Sequence, residues 1–392
     1  MRVSTMGLHN LSVARMLAQQ SELARTQEQV SSQQRFRTAG ENPAGMAQVL
    51  SLESAQSEHA RLADNAGSLR HRLSAEESAL DSIDDTLNRV RELAVQANSG
   101  ALTSADRAQI ASEMEQQYAR LVDLANGDDG TGRHLFAGTQ DGAPPFALSA
   151  SGVSYSGDQQ QRLLAVGSGA RMSDGDSGDA VFLRLDGGLQ AQVPGSNTGT
   201  LAVSTVTATG GNAAALNLSF SNGQYEARDG AGALVQSGSY SAGQTLELPG
   251  VRLKLNGSPA DGDSLSLAPA GNQDLFSRVR SLIDAAKATG AGTSAERAQT
   301  QSRYNQSLAG LDTGMDHISS VRASVGTRLA TLDDVDSQLS ALDLQLQSTL
   351  SDVRDLDYAE AISRLQMQTT SLEAAQAVFA KVQGLSLFNY IR

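Results

Sequence analysis

The chain has 392 residues, a formal net charge of -13, and neither cysteine nor tryptophan. The missing cysteines exclude disulfides, thiolate metal sites and thiol catalysis, and the acidic balance argues against nucleic acid as a partner. No run approaches the ~18 consecutive apolar residues of a membrane span, and MRVSTMGLHNLSVARM lacks an apolar block followed by a small-residue cleavage site, so no cleaved secretory signal is expected.

Charge is unevenly placed. Residues 1–40 carry five arginines against two glutamates, and residues 358–392 carry three basic against two acidic side chains. Those ends sum to +4, so the total of -13 leaves -17 in between. Near-neutral ends can associate while an acidic middle repels its own kind.

In chain order, the first periodic signal is Met16, Leu23 and Val30, seven residues apart, with Gln20 and Gln27 in the same seam. Pro43 is a good first-turn residue, and from there a helix is expected to the Asn98-Ser99-Gly100 stop, spanning about 80 Å. Within it Leu62, Ala66, Leu69, Leu73, Glu76, Leu80, Ile83, Leu87, Val90, Ala94 and Ala97 follow a 4-3-4-3 spacing, a heptad seam with one polar intrusion, Glu76. Thr103 followed by Asp106 resembles a capping box. It opens a shorter helix carrying Ile110, Met114, Tyr118, Leu121 and Ala125, closed by Asn126-Gly127.

The character then changes. Between Gly138 and Gly271 lie 23 of the 37 glycines and six of the seven prolines, which forbids long helices there. GVSYSGDQQQRLLAV places a Gly-Asp turn between two apolar-alternating runs, NLSFSNGQYEARDG carries the hairpin signal Asn222-Gly223, and VRLKLNGSPADGDSLSL adds Asn256-Gly257. Several short strands at regular spacing predict a sandwich or barrel.

Helical spacing returns with Leu275, Val279, Leu282 and Ala286, ending near Gly290. A long helix is expected from about Thr293, with Tyr304, Leu308, Leu311, Met315, Ile318, Val325, Leu329, Leu332, Leu339, Leu342, Leu346, Leu350 and Val353. After Asp355-Leu356-Asp357, the stripe Ile362, Leu365, Leu372, Ala375, Phe379 and Val382 runs almost to the end. Seams this long need covering partners, so both chain ends are expected to meet as antiparallel helices. The fold class expected is α+β multidomain: a long antiparallel helical bundle or coiled coil from both termini with an inserted all-β domain. Its expected domains are residues 1–42 with 355–392, residues 43–137 with 273–354, and residues 138–272.

Chemistry is scarce. SDGDSGD, Ser173 to Asp179, spaces three aspartates near a calcium loop but lacks the distal glutamate and flanking helices, and reads as a solvated turn. GDDGTG, Gly127 to Gly132, matches no phosphate fingerprint. His9, His59, His71, His134 and His317 stand at no metal-ligand spacing, and no G-x-S-x-G occurs. No catalytic residue, metal site or cofactor is expected.

The tails carry the strongest functional signal. The bundle seam takes Leu62, Leu69, Leu73, Leu80, Ile83, Leu87, Val90, Leu329, Leu332, Leu339, Leu342 and Leu346. Beyond it, Val3, Met6, Leu8, Leu11, Met16, Leu23 and Val30 at one end face Ile362, Leu365, Leu372, Phe379, Val382, Leu385, Leu387, Phe388, Tyr390 and Ile391 at the other as a candidate assembly interface. Chain ends are usually polar, and an uncovered apolar patch marks a partner surface. A membrane partner calls for a basic polar face, which residues 358–392 lack.

These stretches resemble the flagellin and hook-associated protein superfamily. LNRVRELAVQANSG (Leu87 to Gly100), QRFRTAGENPAGMAQVL (Gln34 to Leu50) and DYAEAISRLQMQTTSLEAAQAVFAKV (Asp357 to Val382) are similar to its helical segments, although TAGEN replaces the common Ser-Asp-Asp run. MRVSTM, GRHLFAGTQDGAPPF (Gly132 to Phe146), Val153 to Leu183 and GLSLFNYIR resemble its hook-associated protein 3 branch more than flagellin itself. The resemblance implies a structural adaptor between hook and filament. Its implied partners are copies of itself in a homo-oligomeric ring, a neighbouring hook-associated protein, flagellin, and a cytoplasmic export chaperone binding the C-terminal helix. It also implies type III export, and terminal segments that order only on assembly. Competing readings are a flagellin filament subunit, a type III translocator or tip protein, and an enzyme or glycan binder housed in the β centre.

Overall fold

The computed structural model describes residues 5–149, 152–210, 214–288 and 292–390. In chain order the helices are α1 (Thr5–Ser32), α2 (Pro43–Ala97), α3 (Ser104–Ala125), α4 (Leu275–Ala288), α5 (Ser294–Arg354) and α6 (Tyr358–Tyr390), with an all-β insertion between α3 and α4. The protein is thus α+β, with helices from both termini flanking the inserted strands. The chain forms two compact units, Met1–Asp64 with Asp336–Arg392, and Asn65–Val335.

In the Asn65–Val335 unit, α2 and α5 run antiparallel. Arg70 meets Asp333 at 2.8 Å, Glu77 meets Arg322 at 2.8 Å, and Arg91 meets Asp312 at 2.6 Å, so one number rises as the other falls. The seam between them is apolar, with Leu69, Leu73, Leu80, Ile83, Leu87 and Val90 fully buried against Leu311, Ile318, Val325 and Leu332. Leu329 is half-buried against the same core. The Tyr304 hydroxyl, wholly buried, donates to the Ala94 carbonyl, and burial raises its pKa. α3 and α4 complete the bundle through Ile110, Met114, Leu121, Leu282 and Ile283. Thr103 starts α3 with the expected reciprocal cap, its hydroxyl accepting from the Asp106 N–H at 3.2 Å and its own N–H donating to Asp106 at 3.0 Å.

Two small hairpins, β1 (Phe146–Ser149) with β2 (Gly152–Tyr155) and β3 (Leu163–Ala165) with β4 (Arg171–Ser173), belong to this same core. So does a π-helical turn, Asp179–Leu183. Phe146 lies within 5.0–5.4 Å, centroid to centroid, of Tyr155, Phe182 and Phe276. This aromatic cluster ties the first part of the insertion to α4.

The remaining strands form a sandwich. One sheet has the order β5 (Leu189–Gln192), β12 (Ser264–Pro269), β7 (Leu216–Ser221), β8 (Gln224–Asp229), β9 (Leu234–Ser239). The other has the order β10 (Thr245–Leu248), β11 (Val251–Asn256), β6 (Ala202–Ala208). Alternate residues of both sheets, among them Leu218, Phe220, Val203, Leu253 and Leu267, point into a separate core. Asn222 (φ 50) and Gly223 (φ 71) make the β7–β8 turn, which needs positive φ at both positions. Strands flanking the other two turn signals do not pair with each other: β2 pairs β1, β3 pairs β4, and Asn256-Gly257 leads from one sheet to the other. A turn residue permits a change of direction, but the apolar face chooses the partner.

SDGDSGD is not a solvated turn. Asp174 and Ser177 are buried, Asp174 pairs with Arg72 (3.6 Å) and Arg162 (3.4 Å), and Asp176 pairs with Arg328 of α5. Arginines on other segments of the chain supply the counter-charges, which local composition cannot reveal. Replacing Ile83 by alanine should lower stability by about 2–5 kcal/mol, whereas the same change at exposed Val95 should stay within about 0.5 kcal/mol. Urea unfolding of the full chain followed by circular dichroism checks both.

Candidate assembly surface on the terminal helices

In the Met1–Asp64 with Asp336–Arg392 unit, local chemistry fixes where the terminal helices begin and end. α1 stops at Gln33, held at φ 60. There the Arg35 N–H donates to the Arg354 carbonyl at 2.7 Å and the Leu356 N–H to the Gln33 carbonyl at 3.0 Å, with Gln34 bridging Asp355. The two inter-helix connections are therefore laced together antiparallel. Phe36 buries its ring with Val49 and Leu350. Asn42 caps α2, its side-chain oxygen accepting from the Gly45 N–H at 2.9 Å ahead of Pro43. A Cβ at Gly45 would come within 2.6 Å of the Phe36 ring, so only glycine lets ring and helix approach. Asp357 caps α6 by accepting the Glu360 N–H at 3.1 Å.

From that lacing α1 and α6 run alongside each other in opposite directions. Gln19 donates to Ser371 at 3.3 Å, and the His9 ring lies 5.2 Å from Phe379. Stepping seven residues from His9–Phe379 brings Met16 level with Leu372 and Leu23 level with Leu365, a shared heptad register. Leu372 is buried; Met16, Leu23, Val30, Leu365 and Phe379 are half-buried. One stripe of each helix is thus engaged.

Other large apolar side chains of these two helices stay exposed. Leu11 and Ile362 from the expected interface are exposed, and so are Leu17 (60%), Met367 (66%) and Val378 (62%), which lie outside the expected interface. These three fall off the seven-residue seam, so a search for a single stripe passes them by. A count of large apolar residues outside the seam would have found them. Val3 and Ile391 lie outside the described residues, as do the side chains of Met6, Leu8, Val382, Leu385, Leu387, Phe388 and Tyr390.

Of the seam residues in this unit, Leu62 and Leu339 are buried and Leu346 is half-buried. Leu342 is 49% exposed, contrary to its expected place in the seam. Two helices cover a narrower stripe than four, and Leu342 falls outside it. Leu50 and Leu344 are exposed as well. Among the described residues no three acidic, His or Cys side chains are grouped to hold a metal ion, and no helix is long and apolar enough to cross a membrane.

This arrangement of end helices has known counterparts. The family model of the bacterial flagellin N-terminal helical region matches residues 3–141, and that of the bacterial flagellin C-terminal helical region matches residues 308–391. The crystal structure of FlgL from Xanthomonas campestris is 34% identical, covers 76% of this chain and 99% of its own, and superposes with a TM-score of 0.70. The chain belongs to the flagellar hook-associated protein 3 (FlgL) family. Flagellar hook-associated protein 3 of Salmonella typhimurium is 23% identical over 392 residues, the full length of both chains. The flagellar junction protein FlgL of Legionella pneumophila is 27% identical with a TM-score of 0.70, covering 79% of this chain and all of its own. A Treponema pallidum flagellin, by contrast, is similar over only 33% of this chain. Family membership makes this a component of the bacterial flagellum.

If α1 and α6 depend on their shared seam, Leu372→Ala should raise amide exchange along α1 as well as α6. Val378→Ala, at an exposed position outside the seam, should leave exchange in both helices unchanged.

Proposed function

We propose that the chain is a structural adaptor at the flagellar hook–filament junction, assembled as a ring through packing of α1 and α6 against the same helices of neighbouring copies. One observation carries this reading: the terminal helix pair buries one apolar stripe and leaves Leu11, Leu17, Ile362, Met367 and Val378 uncovered. Fully burying a wholly exposed large apolar side chain is worth roughly 1.5–3 kcal/mol; these five are partly covered already, so each gains part of that when a neighbouring copy packs on it.

The working division for this role is a terminal domain of residues 1–42 with 355–392, a bundle of residues 43–137 with 273–354, and an outer β-rich domain of residues 138–272. Adjoining partners are an earlier hook-associated protein on one side and flagellin on the other. Export runs through the flagellar type III channel, with a cytoplasmic chaperone covering the C-terminal helix beforehand. Both steps rest on the family resemblance, and a chaperone would also keep the exposed apolar side chains from premature self-association.

Gold-labelled antibody on intact flagella tests the location. A single band between hook and filament is expected; label along the whole filament would mark a flagellin instead. The double variant Leu17→Asp, Met367→Asp tests the surface. Because both side chains are exposed, unfolding free energy should move by no more than about 1 kcal/mol for the pair, while cells should lose attached filaments in electron micrographs. Normal filaments in that variant would remove the assembly role of these exposed side chains.

A further inference from the structure

Glu76 occupies the α2 seam between Leu73 and Leu80 and is fully buried. Its Oε1 accepts the Asp176 N–H at 3.1 Å, while its Oε2 is buried with no hydrogen-bond partner. The charged groups around it come from every neighbouring element. On α2 stands Arg72, which donates to Asp129 at 3.2 Å and to the His134 carbonyl at 2.9 Å, and lies 3.6 Å from Asp174. The loop Ser173–Asp179 supplies Asp174 and Asp176. Arg162, ahead of β3, pairs with Asp174 at 3.4 Å and Asp141 at 2.9 Å. Arg133 pairs with Asp129 at 2.9 Å, and Arg328 of α5 pairs with Asp176. Hydrogen bonds from Thr131 and the backbone, with the Arg133 charge, outweigh the opposing effect of burial and hold the Asp129 carboxyl well below the usual range.

Each arginine of this network is therefore already committed to an aspartate, and among the described residues no cation makes contact with the Glu76 carboxyl. As a neutral acid Glu76 accepts the loop's N–H at little electrostatic penalty. As a carboxylate it is a buried charge with no ion-pair partner beside Asp176, an arrangement that burial strongly disfavours. We propose that Glu76 is a protonation latch: neutral, it holds the Ser173–Asp179 loop against α2 and α5, and on ionising it releases that loop. The loop runs directly into the π-helical turn, whose Phe182 sits against Phe136 at 5.1 Å and Phe146 at 5.4 Å. Release would loosen the aromatic cluster that ties the first hairpins of the insertion to α4. This inference does not depend on the junction reading and concerns a part of the chain that reading leaves unused.

The direction follows from linkage. Burial first, then the charge of Asp176, raise the Glu76 pKa from 4.5 to about 8, against the pull of Arg328, the Asp176 N–H and Arg72. Between those two values the docked state holds a proton that the released state lacks. Docking is thus tightest at acid pH, weakens about tenfold per pH unit as pH rises through that window, and levels off above it.

Hydrogen exchange on the full chain, corrected for the intrinsic pH dependence of exchange, reads this directly. From pH 5.5 to 7.5 the opening constant of amides in residues 173–183 should rise roughly fifty- to a hundredfold, and Glu76→Gln should flatten that slope. A flat profile in the unmodified chain, or an unchanged slope in Glu76→Gln, overturns the proposal. Should Glu76→Gln fail to fold, Glu76→Met, which keeps the seam filled, reads the same slope. A carbon-13 carboxyl titration of Glu76 in the unmodified chain is a second, independent test: a midpoint near the ordinary carboxylate value overturns the latch, and one close to 8 supports it.

Discussion

Apolar spacing at heptad intervals along a helix demands a covering surface, and the whole molecule is arranged around how far that demand is met. In the Asn65–Val335 unit α2, α3, α4 and α5 supply each other's cover, and the seam from Leu69 to Val90 is wholly buried. In the unit holding both termini, α1 pairs with α6, and the end of α5 meets the start of α2 at Val49 and Leu350. The shared seams are engaged there, while other large apolar side chains stay exposed. Isolated helices and helix pairs of this kind draw most of their stability from tertiary packing, so the same sequence rule yields a finished core in one unit and an unfinished one in the other.

The β insertion relies on different physics. Its sandwich closes a core of its own from alternating residues of two sheets. The first hairpins instead join the bundle core through an aromatic cluster and a network of buried ion pairs. Buried pairs add little net stability compared with a well-packed apolar alternative, yet breaking one is expensive. Such a network therefore fixes where the loop lies more than it strengthens the fold. Glu76 is its weak member, because it enters the seam at a leucine position and finds a backbone N–H but no counter-ion contact.

A bundle that is complete and a terminal helix pair that is not make sense together in a flagellar component of the hook-associated protein 3 family. The bundle closes its core within one chain, whereas the terminal pair leaves large apolar side chains exposed. The heptad register shared by α1 and α6 sets which of their residues meet within the chain.

Glycine and proline placement, the 4-3-4-3 spacing and the Thr103 cap located all six helices from the chain alone, because these are local signals with local causes. Asn222-Gly223 gave its hairpin for the same reason. Which strands pair was settled only by tertiary structure, since Asn256-Gly257 looks like a hairpin turn yet leads from one sheet to the other. Burial of SDGDSGD was equally hidden, because its counter-charges, Arg72, Arg162 and Arg328, lie on other segments. Periodicity could name Met16, Leu23 and Leu372 as seam residues, and it could not say that Leu342 and Met367 stay uncovered. A pattern states which face of a helix seeks cover; only the positions of the other helices determine whether it finds any.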